Sequence, residues 1–560
     1  MASASPTLTL RGGTIVDGSG TPGYEGNLAL QDGVITSVGG RGTSGELLDV
    51  SGCVVAPGFV DIHSHVDWLL GHERGHELLA ASLEQGITTA VVGNCGSSPA
   101  PVADGRADRF DRQVLAEAVG DLLPWSWRSF GDYLDWVSGR RIPLNCAFLV
   151  GHGTVRSAVM SDPSDLASRH DVHEMQRLVS RSIEEGAFGV SVGLEYHPGR
   201  HAAPSEVGAV AEAAARRDAV LASHTRGISA LYDQAMDEVL ETASAAGCRL
   251  QISHVNPMGK KNWPAFGRLQ AKAAAARSHG VDVGYDAVTY VSWSADIIGL
   301  LPTHLAGEGR EALVALAASG EGRRLMRELL GRAMPSWPAW RRGSLTRHLP
   351  AEVGWEGLRV AEAGCAEFEP YTGCSLAEIA VRRRTDPFDS YCDWLLGSNG
   401  DARGVIVGYS GDFDDDTTLE RILSDDTAIP ETDTAVERTP GGRLELTLPL
   451  FFGTMPRFLG HFSRDRQLFP LESAVRRITS LPCERIGLRD RGRLQAGYRA
   501  DVTVFDPTTV SDQGDYLQPR RPLGIEHVIV NGRRVVEHGA ADVSTAAGYV
   551  LRFAGASART

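Results

Sequence analysis

Lysine is almost missing from this chain. Of the 55 lysines and arginines, only Lys260, Lys261 and Lys272 are lysine, so none precedes position 260. Cysteine is present but unorganised. Cys53, Cys95, Cys146, Cys248, Cys365, Cys374, Cys392 and Cys483 form no CxxC pair and no regular spacing. In so long a chain this argues against a disulfide framework. No run of about 18 apolar residues offers a membrane span. Met1–Arg11 lacks a basic segment leading into an apolar one, so no signal peptide is expected and the expected compartment is the cytoplasm. Positive charge is in deficit: the net charge is -15. That balance does not suit nucleic acid or an anionic membrane, and small-molecule chemistry is the better expectation.

What is there reads as two kinds of pattern. Near the start, Thr7–Arg11, Thr14–Val16, Asn27–Gln31, Val34–Val38 and Leu48–Val55 are short strands punctuated by Gly, Asp and Pro. Near the end, Asp501–Phe505, His527–Val530 and Arg533–Glu537 repeat the style, with Asn531-Gly532 as a hairpin signal. Both ends are therefore expected to build one small β-sandwich domain, from 1–57 and 481–560. Between them, apolar strands alternate with helical stretches such as Val172–Glu185 and Pro204–Arg217. The strands are Phe59–His63, Thr88–Val92, Ala147–Val150, Gly189–Val192, Ala219–His224, Leu250–His254 and Val281–Tyr285. That alternation predicts a (β/α)8 TIM-like barrel over 58–480. Residues 300–402, rich in Trp, Gly, Pro and Arg, break the rhythm and are expected to insert over the barrel mouth.

Barrel active sites lie at the carboxyl ends of the strands. Several predicted strands end in metal-ligand residues: His63 and His65 after the first, Cys95 after the second, and His224 and His254 later. Alternation along an extended chain puts His63 and His65 on one side. One such residue alone is more often a packed polar group. Five on the ends of one barrel point to zinc, which favours imidazole and thiolate. Barrel hydrolases that open on His-x-His can bridge two metals through a carboxylated lysine. With no lysine on an early strand, Cys95 is the natural bridging ligand.

Several motifs carry a family resemblance: Gly58-Phe-Val-Asp-Ile-His-Ser-His-Val-Asp67, Val92-Gly-Asn-Cys-Gly96, Gly186-Ala-Phe-Gly-Val-Ser-Val-Gly-Leu-Glu-Tyr196, Gln251-Ile-Ser-His254 with Gly259-Lys-Lys-Asn-Trp263, and Gly453-Thr-Met-Pro-Arg-Phe-Leu-Gly460. With Gly497-Tyr-Arg-Ala-Asp-Val502 and Gly524-Ile-Glu-His-Val-Ile-Val-Asn-Gly532, the chain resembles the N-acyl-D-amino-acid deacylases (D-aminoacylases) of the metal-dependent amidohydrolases, in order and over nearly its whole length outside 300–400. The resemblance implies a tight zinc on Cys95, His224 and His254. It implies a weaker second site on His63, His65 and Cys95, and Asp433 of Ile429-Pro-Glu-Thr-Asp433 as catalytic acid and base. The family's carboxylate-binding lysine and arginine fall at Asn256 and Leu450. Either the substrate lacks a free carboxylate or an arginine such as Arg226 stands in. Tyr196 and Tyr290 are candidates to orient the substrate carbonyl, and Ser191 to line the pocket. A less basic pocket is expected, walled by Leu450, Tyr290 and tryptophans such as Trp337, Trp340 and Trp355.

Two other motifs are decoys. His72-Glu-Arg-Gly-His76 fits the zincin pattern, but Gly71 and Gly75 interrupt the helix it needs. Gly189-Val-Ser-Val-Gly193 fits the nucleophile elbow, but Leu-Glu-Tyr-His-Pro-Gly follows in place of a helix. Asp414–Asp416 reads as a solvated acidic loop. The expected function is zinc-dependent hydrolysis of a small linear amide, an N-acyl amine or N-acyl-amino-acid-like substrate. The alternatives are a cyclic amide, imide or carbamoyl substrate on the same barrel, and a catalytically silent metal-stabilised binding protein. No nucleic-acid or membrane partner is expected, and a homo-oligomer stays open.

Overall fold

Strands that are apolar along their whole length need cover on both faces, which a parallel sheet flanked by helices provides. Asn145–Gly151, Gly189–Gly193, Val220–His224 and Val283–Val288 are buried at every position. The computed structural model describes residues 7–40, 45–103, 123–302, 305, 309–341 and 343–555. Parts of the expected β domain (1–6, 41–44 and 556–560) and of the expected insertion (303–304, 306–308 and 342) lie outside the described residues.

The barrel strands are β1 (Phe59–Asp61), β2 (Ile87–Val92), β3 (Asn145–Gly151), β4 (Gly189–Gly193), β5 (Val220–His224), β6 (Arg249–Ile252), β7 (Val283–Val288) and β8 (Ala428–Glu431). Each pairs in parallel with the next, in chain order. A parallel bridge between Ser64 and Thr434 joins the last strand to the first. The Asp433 N–H donates to His63 O at 3.0 Å and the His65 N–H to Thr434 O at 2.9 Å, so the closing seam runs through the site. Ile62, Val91, Ala147, Leu149, Ala222 and Ile429 fill the interior as one apolar cluster. The helices are capped where their sequences allow. Arg169–Glu184 starts on a Ser168–Asp171 capping box, and Pro204–Ala215 carries its proline in the first turn.

Strands from both termini share one nine-stranded sheet, joined where Val54–Pro57 runs antiparallel to Val502–Phe505. Leu10, Ile15, Leu28, Leu30 and Ile35 pack there with Leu494, Ala500, Val502 and Val504. Two strands expected near the start are one, Leu8–Ile15, with a bulge between Leu10 and Gly13. The chain's end leaves this sheet: Val550–Leu551 pairs with β3 of the barrel. The inserted segment has a sheet of its own, Ser292–Asp296 and Leu358–Glu362 flanking Arg403–Val407, so it starts earlier and ends later than composition suggested. Its core is also its own, built on Leu300, Met326, Phe368, Tyr391 and Trp394. Among the described residues no helix is long and apolar enough to cross a membrane.

Candidate metal centre and active site

The strand-end residues converge. Cys95 Sγ lies 3.3 Å from His63 Nε2, 3.6 Å from His224 Nδ1 and 3.7 Å from His254 Nε2. His224 Nδ1 and His254 Nε2 are 2.8 Å apart. Asp433 Oδ1 stands 3.0 Å from His65 Nε2 and 3.5 Å from His63 Nε2. Ligand atoms of His63, His65 and Cys95 form one cluster, those of Cys95, His224 and His254 a second, and those of His63, His254 and Asp433 a third. All six side chains are buried.

Three of these residues have left-handed backbones: Cys95 at φ 52°, His254 at φ 31° and Asp433 at φ 46°. A non-glycine residue there costs on the order of 1–3 kcal/mol and persists only where the surroundings hold it. For Cys95 the holder is Ser191. Its hydroxyl donates to Gly93 O and accepts the Gly96 N–H at 3.0 Å, bracketing the cysteine from both sides. A Cβ at Gly193 would lie 1.9 Å from Cys95 O, so β4 must carry glycine to pass beneath the loop. For His254, its own N–H donates to Asp286 Oδ1 at 2.7 Å.

Electrostatics favour a cation. Burial, with the carboxylates of Asp433, Glu431, Asp286 and Glu195, pushes the Cys95 thiol far up. Burial, His224 and His63 push His254 far down, and burial lowers His65. At His63 burial acts downward, but Asp433, Asp286 and Asp61 outweigh it and raise the imidazole. At Asp433 burial acts upward, and the three histidines His63, His65 and His254 more than reverse it. A divalent ion inverts the thiol's preference, since it binds thiolate and neutral imidazole. A set of one sulfur, four imidazoles and a carboxylate fits zinc.

Carboxylates orient the imidazoles from outside. Glu195 Oε2 sits 3.2 Å from His224 Nε2, which turns Nδ1 to the centre. Glu431 Oε2 and Asp286 Oδ1 lie 3.4 Å and 3.6 Å from His63 Nδ1. Burial, with the carboxylates of Asp286, Asp433 and Asp61, pushes the Glu431 carboxyl well above its ordinary range. Sequence reasoning missed Glu195, although it closely follows β4 and the strand-end rule could have found it.

Five expected substrate contacts are taken up by the protein itself. The Ser191 hydroxyl faces the backbone of the Cys95 loop. Both polar atoms of Asn256 bond the backbone of Val288. Arg226 is fully buried; its Nε faces both oxygens of Glu238 and its terminal nitrogens donate to Arg200 O and Ala202 O. The Tyr290 hydroxyl donates to Asp512 at 2.9 Å, beneath the Arg457 guanidinium. Leu450 opens the helix Leu450–Arg457 and is fully buried in the main core. Trp337 and Trp340 line a groove against the helices Pro204–Ala215 and Tyr232–Ala246, and Trp355 packs on Phe388 and Tyr391. Tyr196 is beside the centre, its ring 4.3 Å from that of His224. Of the decoys, His72 precedes the helix that starts at Gly75, and His76 bonds the carbonyls of Val543 and Arg141.

A closed parallel barrel with histidines and a cysteine at its strand ends defines a metal-dependent hydrolase framework. Comparison with known proteins narrows it. The amidohydrolase family model matches residues 46–320 and 423–536. The D-aminoacylase of Alcaligenes xylosoxydans xylosoxydans is 32% identical over 540 residues, 94% of each chain. The zinc- and phosphonate-inhibitor-complexed N-acyl-D-glutamate deacylase from Bordetella bronchiseptica superposes with a TM-score of 0.75 at 28% identity, covering 98% of this chain and 99% of that one. A D-aminoacylase studied for its binuclear metal centre, with one-metal activation and second-metal attenuation, superposes equally well at 30% identity, 98% and 99% covered. The chain belongs to the D-aminoacylase family of metal-dependent amidohydrolases, hydrolases of carbon–nitrogen bonds other than peptide bonds.

Proposed function

We propose that this enzyme is a zinc hydrolase of linear N-acyl substrates, with Asp433 as general base and then general acid. The observation that carries the reading is the convergence of Cys95, His224, His254, His63 and His65 around the carboxylate of Asp433. Cys95, His224 and His254 would hold the tight zinc; His63 and His65, with Cys95 shared, would hold a weaker second ion. Bound zinc supplies Lewis acidity toward the amide carbonyl and lowers the pKa of water toward ~7.

The side chains do the rest. Asp433 is kept ionised by the histidines around it, so it can accept the proton of an attacking water. The carbonyl carbon gains the water oxygen and passes through a tetrahedral adduct. Asp433 then returns the proton to the departing nitrogen, the C–N bond breaks, and a carboxylic acid and an amine leave. Glu195 holds the His224 ring, and Ser191 holds the Cys95 loop, through each step. Burial of the site limits competing water. The test is amine release from a panel of N-acyl amines and N-acyl amino acids by zinc-loaded enzyme. Cleavage of linear members supports the reading; cleavage restricted to cyclic amides or imides overturns it.

A further inference from the structure

An anionic substrate needs a cation near the centre, and the expected positions supply none. Asn256 and Leu450 are neutral and fully buried, and Arg226 is taken up by Glu238. Arg457 donates to Thr289 O at 3.0 Å and pairs with Asp512. Arg200 donates to Ser344 O at 2.8 Å.

The inserted segment brings another. Arg347 lies just before the short helix Leu349–Glu352. Its Nε is 3.6 Å from Glu195 Oε1, and the other oxygen of that carboxylate is 3.2 Å from His224 Nε2. One carboxylate therefore separates Arg347 from a residue of the metal centre. The neighbouring carboxylate of Glu352 is occupied by the Ser229 hydroxyl at 2.7 Å and the His348 N–H at 3.2 Å. The approach of Glu195 is to the Nε end of the guanidinium. Among the described residues its terminal nitrogens meet no hydrogen-bond acceptor, and the side chain keeps 26% of its surface exposed. The charges of Arg347 and Asp433 both bear on the hydroxyls of Tyr196 and Tyr409, which sets all four in one neighbourhood.

We propose that Arg347 is the carboxylate-recognising residue of this enzyme, and that the substrate is an N-acyl amino acid whose free carboxylate docks on its terminal nitrogens. Glu195 pairs with the Nε end, and the terminal nitrogens offer paired N–H donors, the geometry that suits a carboxylate. Specificity thus comes from the inserted segment and not from the barrel positions at Asn256 and Leu450. The proposal rests on the amide-hydrolase reading above.

The experiment compares kcat/KM for an N-acyl amino acid and its carboxamide, using zinc-loaded wild type, Arg347→Leu and Arg347→Lys. A charged hydrogen-bonded contact predicts that wild type prefers the acid and that Arg347→Leu loses about 10- to 100-fold on the acid, mainly in KM. The carboxamide stays within about threefold, and Arg347→Lys recovers part of the loss because it keeps the charge without the fork. Binding of an uncleavable N-sulfonyl amino acid should weaken in parallel with the acid. A parallel fall on acid and carboxamide assigns Arg347 a purely structural role and overturns the proposal. Equal wild-type rates on the two overturn it as well, while leaving the amide-hydrolase reading intact. Release from neither substrate removes that reading and this one with it.

Discussion

Replacing Ser191 with alanine separates a positioning role from a nucleophilic one. The Ser191 hydroxyl donates to Gly93 O and accepts the Gly96 N–H, both inside a buried loop. Alanine leaves that N–H without its acceptor, at about 1–3 kcal/mol. In the metal-free protein the loop can relax to recover part of this. Metal binding requires Cys95 at its left-handed φ of 52°, so relaxation is forfeited there. The penalty divides between thermal stability and metal affinity, and the two losses should sum to about 1–3 kcal/mol. If most falls on the metal, affinity drops roughly 10- to 100-fold, the range for groups that support ligands. The assay is chelator competition for zinc beside thermal unfolding of the metal-free protein, with turnover measured at saturating zinc. Turnover within a few-fold of wild type is expected at saturation. Abolished turnover in a fully zinc-loaded Ser191→Ala would make Ser191 a reacting group and refute the reasoning. Unchanged stability and unchanged affinity would refute the structural role.

Other outcomes follow from the same geometry. Asp433→Asn should retain zinc, because asparagine tolerates the left-handed backbone, yet lose roughly 100-fold or more in kcat; full activity would move the general base to another acid. Arg226→Ala should destabilise by about 3–5 kcal/mol by stranding the buried Glu238, with activity per folded molecule unchanged; a selective rise in KM would instead make Arg226 a substrate contact. Glu206 is pushed up by burial, but His152 and Arg156 outweigh this and hold it at about 2, below its ordinary 4.5. A depressed carboxylate stabilises above its unfolded pKa and loses that contribution as pH falls through its folded pKa. Glu206→Gln should therefore cost on the order of 3 kcal/mol at neutral pH and flatten the loss of stability between about pH 4.5 and 2, as read by denaturant unfolding across pH; an unchanged acid limb would count against it.

The barrel and the side chains clustered at its strand ends were legible because both depend on local pattern. Strand ends such as Leu221-Ala-Ser-His224 declare themselves by apolar runs that stop on a polar ligand, and β-strand geometry carries them to one face. Asp433 was legible only through family resemblance, since its strand is short and carries Pro430 and Glu431. Hydroxyl and guanidinium directions were not legible. Arg226 lies two residues past β5 and reads as a free cation, but Glu238, on the helix Tyr232–Ala246, turns it into the packing between helices. Tyr290 reaches Asp512, 222 positions later, a pairing no local window contains. Arg347 was hidden for a related reason. It lies in a segment without barrel rhythm, and only the fold of the insertion brings it to Glu195.

The central claim is that the Cys95, His224 and His254 cluster holds a metal on which amide hydrolysis depends. The most direct measurement follows zinc content and amine release from an N-acyl substrate through chelation and zinc restoration, in wild type and in Cys95→Ala. The account predicts loss of activity on chelation, full recovery as the first zinc per chain returns, and neither tight zinc nor recovery in Cys95→Ala. Undiminished hydrolysis by metal-free wild type, or wild-type zinc affinity in Cys95→Ala, would contradict it.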